Sequence, residues 1–331
     1  MRHSRKGSAV VTVGVVFSRV AGVFAMVLLG FIANRVGWLP SESGKYLSKI
    51  VINIAAPCAV LHSMSAQEMR GDAFSLVIEI ISVSFAMFLF SALCALPIVA
   101  LLRVRKEDRG VYRSFVIFSN NGFMGFPVVL AVFGSTGLFY IILSNMAAIL
   151  LQYTLCIALI KRDAAALSRS KPRKESVKNR LKAVFDVPLD AALVSLAIFL
   201  LRIPVHEGLQ DIFSSVGAMM APLSMIIIGI QLAQSKIRDA LLNPRLVVIS
   251  VVRLALMPFL MFLILEFINI DSLVRCVIIL SFAMPCAALP VVFAQEYGAN
   301  AKLAAEGAFL STLFSMACLP IACILLTLHV L

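Results

Sequence analysis

Two short stretches of the sequence combine residues that interrupt helices with residues that favour anions. Residues 119–127 read SNNGFMGFP, and residues 283–290 read AMPCAALP. Glycine and asparagine adopt backbone angles that other residues avoid, and proline removes a backbone donor. A helix interrupted in this way presents free N–H groups and a partial positive charge at its N-terminal end. Both stretches are therefore candidate sites for a negatively charged group.

The candidate binding residues lie within these two stretches. Asn120 and Asn121, with the peptide groups around Gly122 and Ala287, are expected to hold a carboxylate. The remaining candidates are the prolines and the cysteine that shape the two breaks: Pro127, Pro285, Cys286 and Pro290.

Other polar residues within apolar runs carry weaker expectations. Glu79 is a candidate for proton coupling, because a buried ionisable group in a membrane is costly. Asn53 precedes a proline by one helical turn, so it faces a cavity or repairs the freed carbonyl. Arg253 lies near the cytoplasmic end of its run, where its side chain is expected to extend to water. Asn145 and Gln152 share a helix face and are expected to form an interhelical hydrogen bond.

No enzyme chemistry is indicated. The four histidines are not spaced with carboxylates or cysteines as a metal site requires, and the seven cysteines show no CxxC spacing. Walker and catalytic-triad signatures are also missing from the sequence. The sequence predicts a protein that is not an enzyme and that uses no metal and no cofactor.

The elements that position these residues must be membrane helices. Of the 331 residues, 61% are hydrophobic and 14% are charged, whereas soluble domains carry about 25% charged residues. Long apolar runs predict an all-α polytopic membrane protein with ten spans. The predicted spans are 17–36, 48–64, 74–102, 114–133, 138–160, 187–203, 212–234, 246–267, 273–293 and 305–330.

The Lys and Arg residues sort sharply between alternate loops. One set of loops holds 21 of them and the opposite set holds 6. Cytoplasmic loops carry the excess, which predicts a cell-membrane protein (inner or plasma membrane) with both termini outside.

The predicted organisation is two five-span repeats. Five is odd, so the second repeat enters the membrane in the opposite orientation, with the broken spans 4 and 9 at equivalent positions. We expect a leader at 1–15, a first repeat at 16–160, a basic cytoplasmic linker at 161–186 and a second repeat at 187–331. Basic runs of this kind bind RNA or anionic lipid in some proteins, but this one is typical of a positive-inside loop, so no nucleic-acid partner is predicted.

Five stretches spread over both halves resemble the auxin efflux carrier family. This family includes plant PIN-type auxin exporters and bacterial permeases for malate and malonate. The stretches read GFIANRVGWLPSESGKYLSKIVINIAAP (30–57), SNNGFMGFP (119–127), QYTL (152–155), APLSMIIIGIQLA (221–233) and MPCAALPVVFAQEYG (284–298).

The resemblance implies a five-plus-five inverted-repeat fold, related to bile-acid symporters and sodium/proton antiporters, in which helices 4 and 9 cross. It implies that Asn120 contacts a substrate carboxylate and that Tyr153 lines the pocket. Where the plant pattern has a polar amide after the first proline of the ninth helix, this chain has Cys286. This departure from the plant pattern indicates a pocket that is less polar on that side, or a different substrate.

The sequence as a whole predicts a carrier for a small organic anion that works by alternating access, with the lipid bilayer around it. Proton coupling and a homodimer are compatible with this prediction. The alternatives are an anion channel or ligand sensor on the same fold, and a sodium-coupled symporter, which needs oxygen ligands at the crossover.

Overall fold

The computed structural model describes residues 2–40, 42–65, 73–168, 187–234 and 240–330, and every regular element in these ranges is helical. The α-helices are α1 (Arg2–Arg35), α2 (Ser43–Ile50), α3 (Ala56–Ser65), α4 (Ala73–Leu101), α5 (Arg109–Ile117), α6 (Phe126–Leu151), α7 (Ile157–Ser168), α8 (Val187–Leu200), α9 (Glu207–Gly217), α10 (Met220–Gln234), α11 (Pro244–Val251), α12 (Met257–Leu265), α13 (Ser272–Ala283), α14 (Leu289–Tyr297) and α15 (Ala301–Val330).

These helices confirm a polytopic membrane protein. Seven helical segments of the described chain are long and apolar enough to cross a membrane, and one of them, Asn121–Leu167, has 47 residues. Two further apolar helices, Leu189–Leu200 and Ser272–Ala283, are shorter. The five-plus-five division into ten spans stays a prediction.

Wide π-helical turns lie next to prolines inside these segments. Three of the turns end two residues before a proline: Val51–Ala55 before Pro57, Asn121–Gly125 before Pro127 and Val252–Leu256 before Pro258. A proline within a helix lacks an N–H group and clashes with the carbonyl of the preceding turn. A widened turn relieves this clash, so these helices continue through their prolines.

Helix α6 contains a true break at Gly134. Its backbone angles, φ 69° and ψ −161°, belong to a region that residues with a side chain avoid. The break falls between the predicted fourth and fifth spans, where the sequence predicts a turn.

The helices pack into two bundles. The first, which we call the glycine-packed bundle, contains α1, α2, α3, α8, α9 and α10, and its main contacts join α1 to α10 and α3 to α8 and α9. The helix pairs approach closely at glycines. A Cβ atom on Gly30 would overlap the Ile226 carbonyl, and one on Gly229 would overlap the Val27 carbonyl.

The second bundle, which we call the crossover bundle, contains α4 to α7 and α11 to α15. Helix α4 packs against α5 and α6, while α13 and α14 pack against α15. Two hydrogen bonds join this bundle to the glycine-packed bundle at one end of the interface. Arg19 donates to the Ala131 carbonyl at 3.3 Å, and Ser63 donates to the Ser135 carbonyl at 3.1 Å.

The predicted leader and the predicted linker both overlap helices of the structure. Residues 2–15, the predicted leader, form the first part of helix α1. Residues 161–168 of the predicted linker continue α7, and residues 169–186 lie outside the described residues.

Candidate functional site

The two predicted interruptions are present and they meet each other. Helix α5 ends at Ile117 and α13 ends at Ala283, and each is followed by an extended residue. The Asn120 N–H donates to the Pro285 carbonyl at 2.9 Å, and the Ala287 N–H donates to the Phe118 carbonyl at 3.1 Å. These bonds form an isolated antiparallel bridge between the two breaks. Non-helical backbone at membrane depth is thus satisfied within the protein.

Asn120 caps the helical segment that restarts after the first break. Its side-chain oxygen accepts from the Phe123 N–H at 3.3 Å, and its carbonyl accepts from the N–H groups of Met124 and Gly125. The first N–H groups of a helix have no partner within it. Beside them, a Cβ atom on Gly122 would meet nothing within 4 Å, so this helix start opens onto free space.

That free space is a cavity of about 290 Å³ between the two bundles. Val51, Ile52 and Ala56 contribute its wall from the glycine-packed bundle. The N-terminal ends of both restarted helices contribute the opposite wall. The polar residues that line the cavity are Ser119, Asn120, Asn121, Asn145, Gln152 and Tyr153.

Three buried polar atoms of the cavity wall have no hydrogen-bond partner among the described residues. Asn121 is 1% exposed, and neither its side-chain nitrogen nor its side-chain oxygen makes a hydrogen bond. The Ser119 hydroxyl is also buried and unpaired. Buried polar groups are usually hydrogen-bonded in folded proteins, so these atoms keep hydrogen-bonding capacity beside the cavity.

The predicted site residues divide into two groups. Asn120, Asn121, Gly122, Ala287 and Tyr153 all line the cavity, and the Tyr153 ring packs edge-on against Phe293 at 5.6 Å. The Ala287 N–H, expected to be free, already donates to the Phe118 carbonyl.

The other predicted residues are buried behind the wall. Pro127, Pro285 and Pro290 do not line the cavity. Cys286 is 1% exposed, its N–H donates to the Ser311 hydroxyl at 3.0 Å, and its thiol lies 3.7 Å from the Phe115 carbonyl. In this structure these residues shape the breaks.

The coupling candidates lie away from the cavity. Asn53 is exposed within its π-helical turn, and Glu79 is half-buried on α4. In contrast, Asn145 and Gln152 both line the cavity. Their spacing of seven residues predicted a shared face, and the amide side chains on that face were the available signal.

The sequence-based expectation that the Arg253 side chain extends to water is wrong. Arg253 is 0% exposed. Its Nε donates to the Met284 carbonyl at 3.1 Å, and its Nη1 donates to the Val116 carbonyl at 2.8 Å. These carbonyls lie at the C-terminal ends of α13 and α5, where helix dipoles concentrate negative charge. A single guanidinium therefore ties the two broken helices together.

A larger cavity of about 550 Å³ lies among α12, α13 and α15, but it carries no comparable chemistry. Its lining residues are apolar apart from Cys318. The smaller cavity at the crossing is therefore the candidate functional site, because only polar groups fix the orientation of a ligand.

Comparisons with known proteins show the family of this chain. The family model described as membrane transport protein matches residues 15–323. An uncharacterized transporter of Methanothermobacter thermautotrophicus is 28% identical over 305 residues, which cover 91% of this chain and 95% of the relative. One from Methanocaldococcus jannaschii is 24% identical over 301 residues, covering 89% and 93%. The chain belongs to the membrane transport protein family, which is the auxin efflux carrier family that its sequence resembles.

Proposed function

We propose that this protein is a secondary carrier that moves a small organic anion across the cell membrane by alternating access. The anion is a carboxylate such as malate, malonate or an auxin-like acid. The observation that carries the proposal is the unpaired, buried amide of Asn121 in the wall of a cavity where two broken helices cross.

The chemistry of the cavity favours a carboxylate. The Asn121 amide supplies a donor, and the helix start at Gly122 supplies further N–H groups and a partial positive charge. None of the residues lining the cavity is acidic. Its volume of about 290 Å³ suits a small solute, since pockets for drug-sized ligands measure about 300–1,000 Å³.

The position of the cavity between two bundles supports alternating access. With ten spans and both termini outside, Val51 and Gln152 lie in the cytoplasmic halves of their spans, so this state faces inward. The bonds from Arg19 to Ala131 and from Ser63 to Ser135 then close the outer side. We propose that the crossover bundle shifts against the glycine-packed bundle, as in an elevator, and breaks these two bonds.

The proposal is tested by exchange in proteoliposomes. Vesicles loaded with unlabelled malate take up labelled malate if the protein is a saturable carrier, whereas a channel shows no exchange. The same exchange experiment with malonate and with an indole carboxylate tests the other proposed acids. Absence of exchange with every acid refutes the proposal.

The site assignment is tested by Asn121→Ala. A hydrogen bond to a charged group contributes about 1.5–3 kcal/mol, so the apparent affinity should fall roughly tenfold to more than a hundredfold. Asn269→Ala removes an exposed asparagine outside the cavity and is the matched control. Equal exchange by the two variants contradicts the assignment.

The sodium-coupled alternative is disfavoured by Arg253. A coupling cation at a helix crossing is held by carbonyls of unwound backbone and helix C-termini. At this crossing, Arg253 already donates to the carbonyls of Val116 and Met284. Exchange should therefore be unchanged when sodium is replaced by choline.

A further inference from the structure

A second polar cavity lies on the crossover bundle, outside the candidate transport site. It has a volume of about 380 Å³ and lies between the start of α5 and the middle of α7. Four cationic side chains line it: Lys106, Arg109, Arg113 and Arg162. They belong to the two loops that the charge bias assigns to the cytoplasmic side.

The start of α5 packs closely against α7 on one side of this cavity. Gly110 lies so close to α7 that a Cβ atom would overlap the Leu159 carbonyl. Asp163 is 2% exposed, and its two carboxylate oxygens accept from the N–H groups of Gly110 and Val111 at 2.8 and 2.9 Å. This carboxylate is therefore engaged by the N-terminal end of α5, and among the described residues no cation lies within 4.0 Å of it.

The four cations are not matched by an equal number of carboxylates, because Asp163 is the one acidic residue of the described chain that lines this cavity. Within the described ranges, none of the four cations lies within 4.0 Å of a carboxylate oxygen, and the Nε atom of Arg113 is buried without any acceptor. A positive-inside loop requires only exposed charge. The half-buried Arg113 lines the cavity, and its buried Nε keeps a hydrogen-bond donor that no described residue uses, which suits an anionic ligand.

We propose that this cavity binds a phosphate group, carried by an anionic phospholipid headgroup or by a soluble phosphate. Guanidinium groups bind phosphate oxygens through paired, charge-assisted hydrogen bonds. Basic pockets between helices at the cytoplasmic surface are suited to phospholipid headgroups. The site belongs to the bundle proposed to move, and it is independent of the transported anion.

The test measures thermal unfolding of the full-length protein in a neutral detergent. The probes are phosphatidylglycerol, phosphatidylcholine and inorganic phosphate, each titrated separately. A ligand that binds the folded state raises the midpoint with increasing concentration. A response to phosphatidylglycerol alone identifies a lipid site, and an equal response to inorganic phosphate identifies a soluble one. No response to either anionic probe refutes the proposal.

Substitutions distinguish a specific phosphate site in this cavity from nonspecific attraction of anions to a basic surface. Arg113→Gln and Arg162→Gln should abolish the response, while Arg105→Gln, which removes an exposed cation of the same loop outside this cavity, should retain it. Lys106→Gln changes an exposed side chain and keeps the test available if Arg113→Gln does not fold. A response that survives in Arg162→Gln and Lys106→Gln, or that disappears equally in Arg105→Gln, overturns the proposal.

Discussion

Replacing Arg253 by methionine should destabilise the crossing of the two broken helices. Methionine is unbranched and apolar, so it fills much of the same space without donating a hydrogen bond. The change removes the donors to the carbonyls of Met284 and Val116. Val116 keeps a bond from the Ser91 hydroxyl at 3.0 Å, whereas no other side chain of the described residues donates to the Met284 carbonyl.

The expected cost follows from these contacts. A buried carbonyl left without a partner costs about 1–3 kcal/mol, and the lost charge-assisted bond to Val116 was worth about 1.5–3 kcal/mol. Relief from burying a charge offsets part of this loss. We therefore expect a net loss of at least about 2 kcal/mol of unfolding free energy. At roughly 2–4 °C for each kcal/mol, the thermal midpoint should fall by about 4 °C or more.

The assay compares thermal unfolding and malate exchange for three variants. Arg253→Lys keeps the charge but reaches fewer acceptors, so its loss should be intermediate. Arg245→Met is the matched control, because Arg245 also donates to a carbonyl, that of Leu102 at 3.2 Å, but from an exposed position where water replaces it. If Arg253→Met has the same midpoint as Arg245→Met, then Arg253 does not hold the crossing together.

Three further substitutions, one of them with a control, test the site, the packing and a helix cap. Gly122→Leu should abolish exchange with little change in the thermal midpoint, because its side chain enters open cavity space. Gly229→Leu should lower the yield of folded protein, since it overlaps the Val27 carbonyl, whereas Gly22→Leu, which meets nothing within 4 Å, should not. Asp271→Ala should cost about 1 kcal/mol in thermal unfolding, because Asp271 caps the N-terminus of α13.

The sequence predicted the features that depend on local chemistry. Helix-interrupting residues at 119–127 and 283–290 indicated two breaks, and the structure has non-helical backbone at 118–120 and 284–288. Prolines indicated distorted helices, and the π-helical turns before Pro57, Pro127 and Pro258 are those distortions.

The features that depend on which helices contact each other could not be predicted from the sequence. Nothing in the spacing of Arg253 shows that its guanidinium reaches carbonyls 31 and 137 residues away. The same limit applies to Ala287, whose N–H is paired with Phe118 because the two breaks lie side by side. The sequence predicts an interhelical hydrogen bond for Gln152, but it does not reveal that this helix face borders a cavity.

The crossing of two broken helices has an electrostatic consequence that neither helix has alone. Each break creates one C-terminal end, which is negative, and one N-terminal end, which is positive. Arg253 binds both C-terminal ends and neutralises them within the protein. The two N-terminal ends, at Gly122 and Leu289, remain beside the cavity. This arrangement supports the proposed substrate, because an anion in the cavity would face the N-terminal ends and not the C-terminal ends that Arg253 occupies.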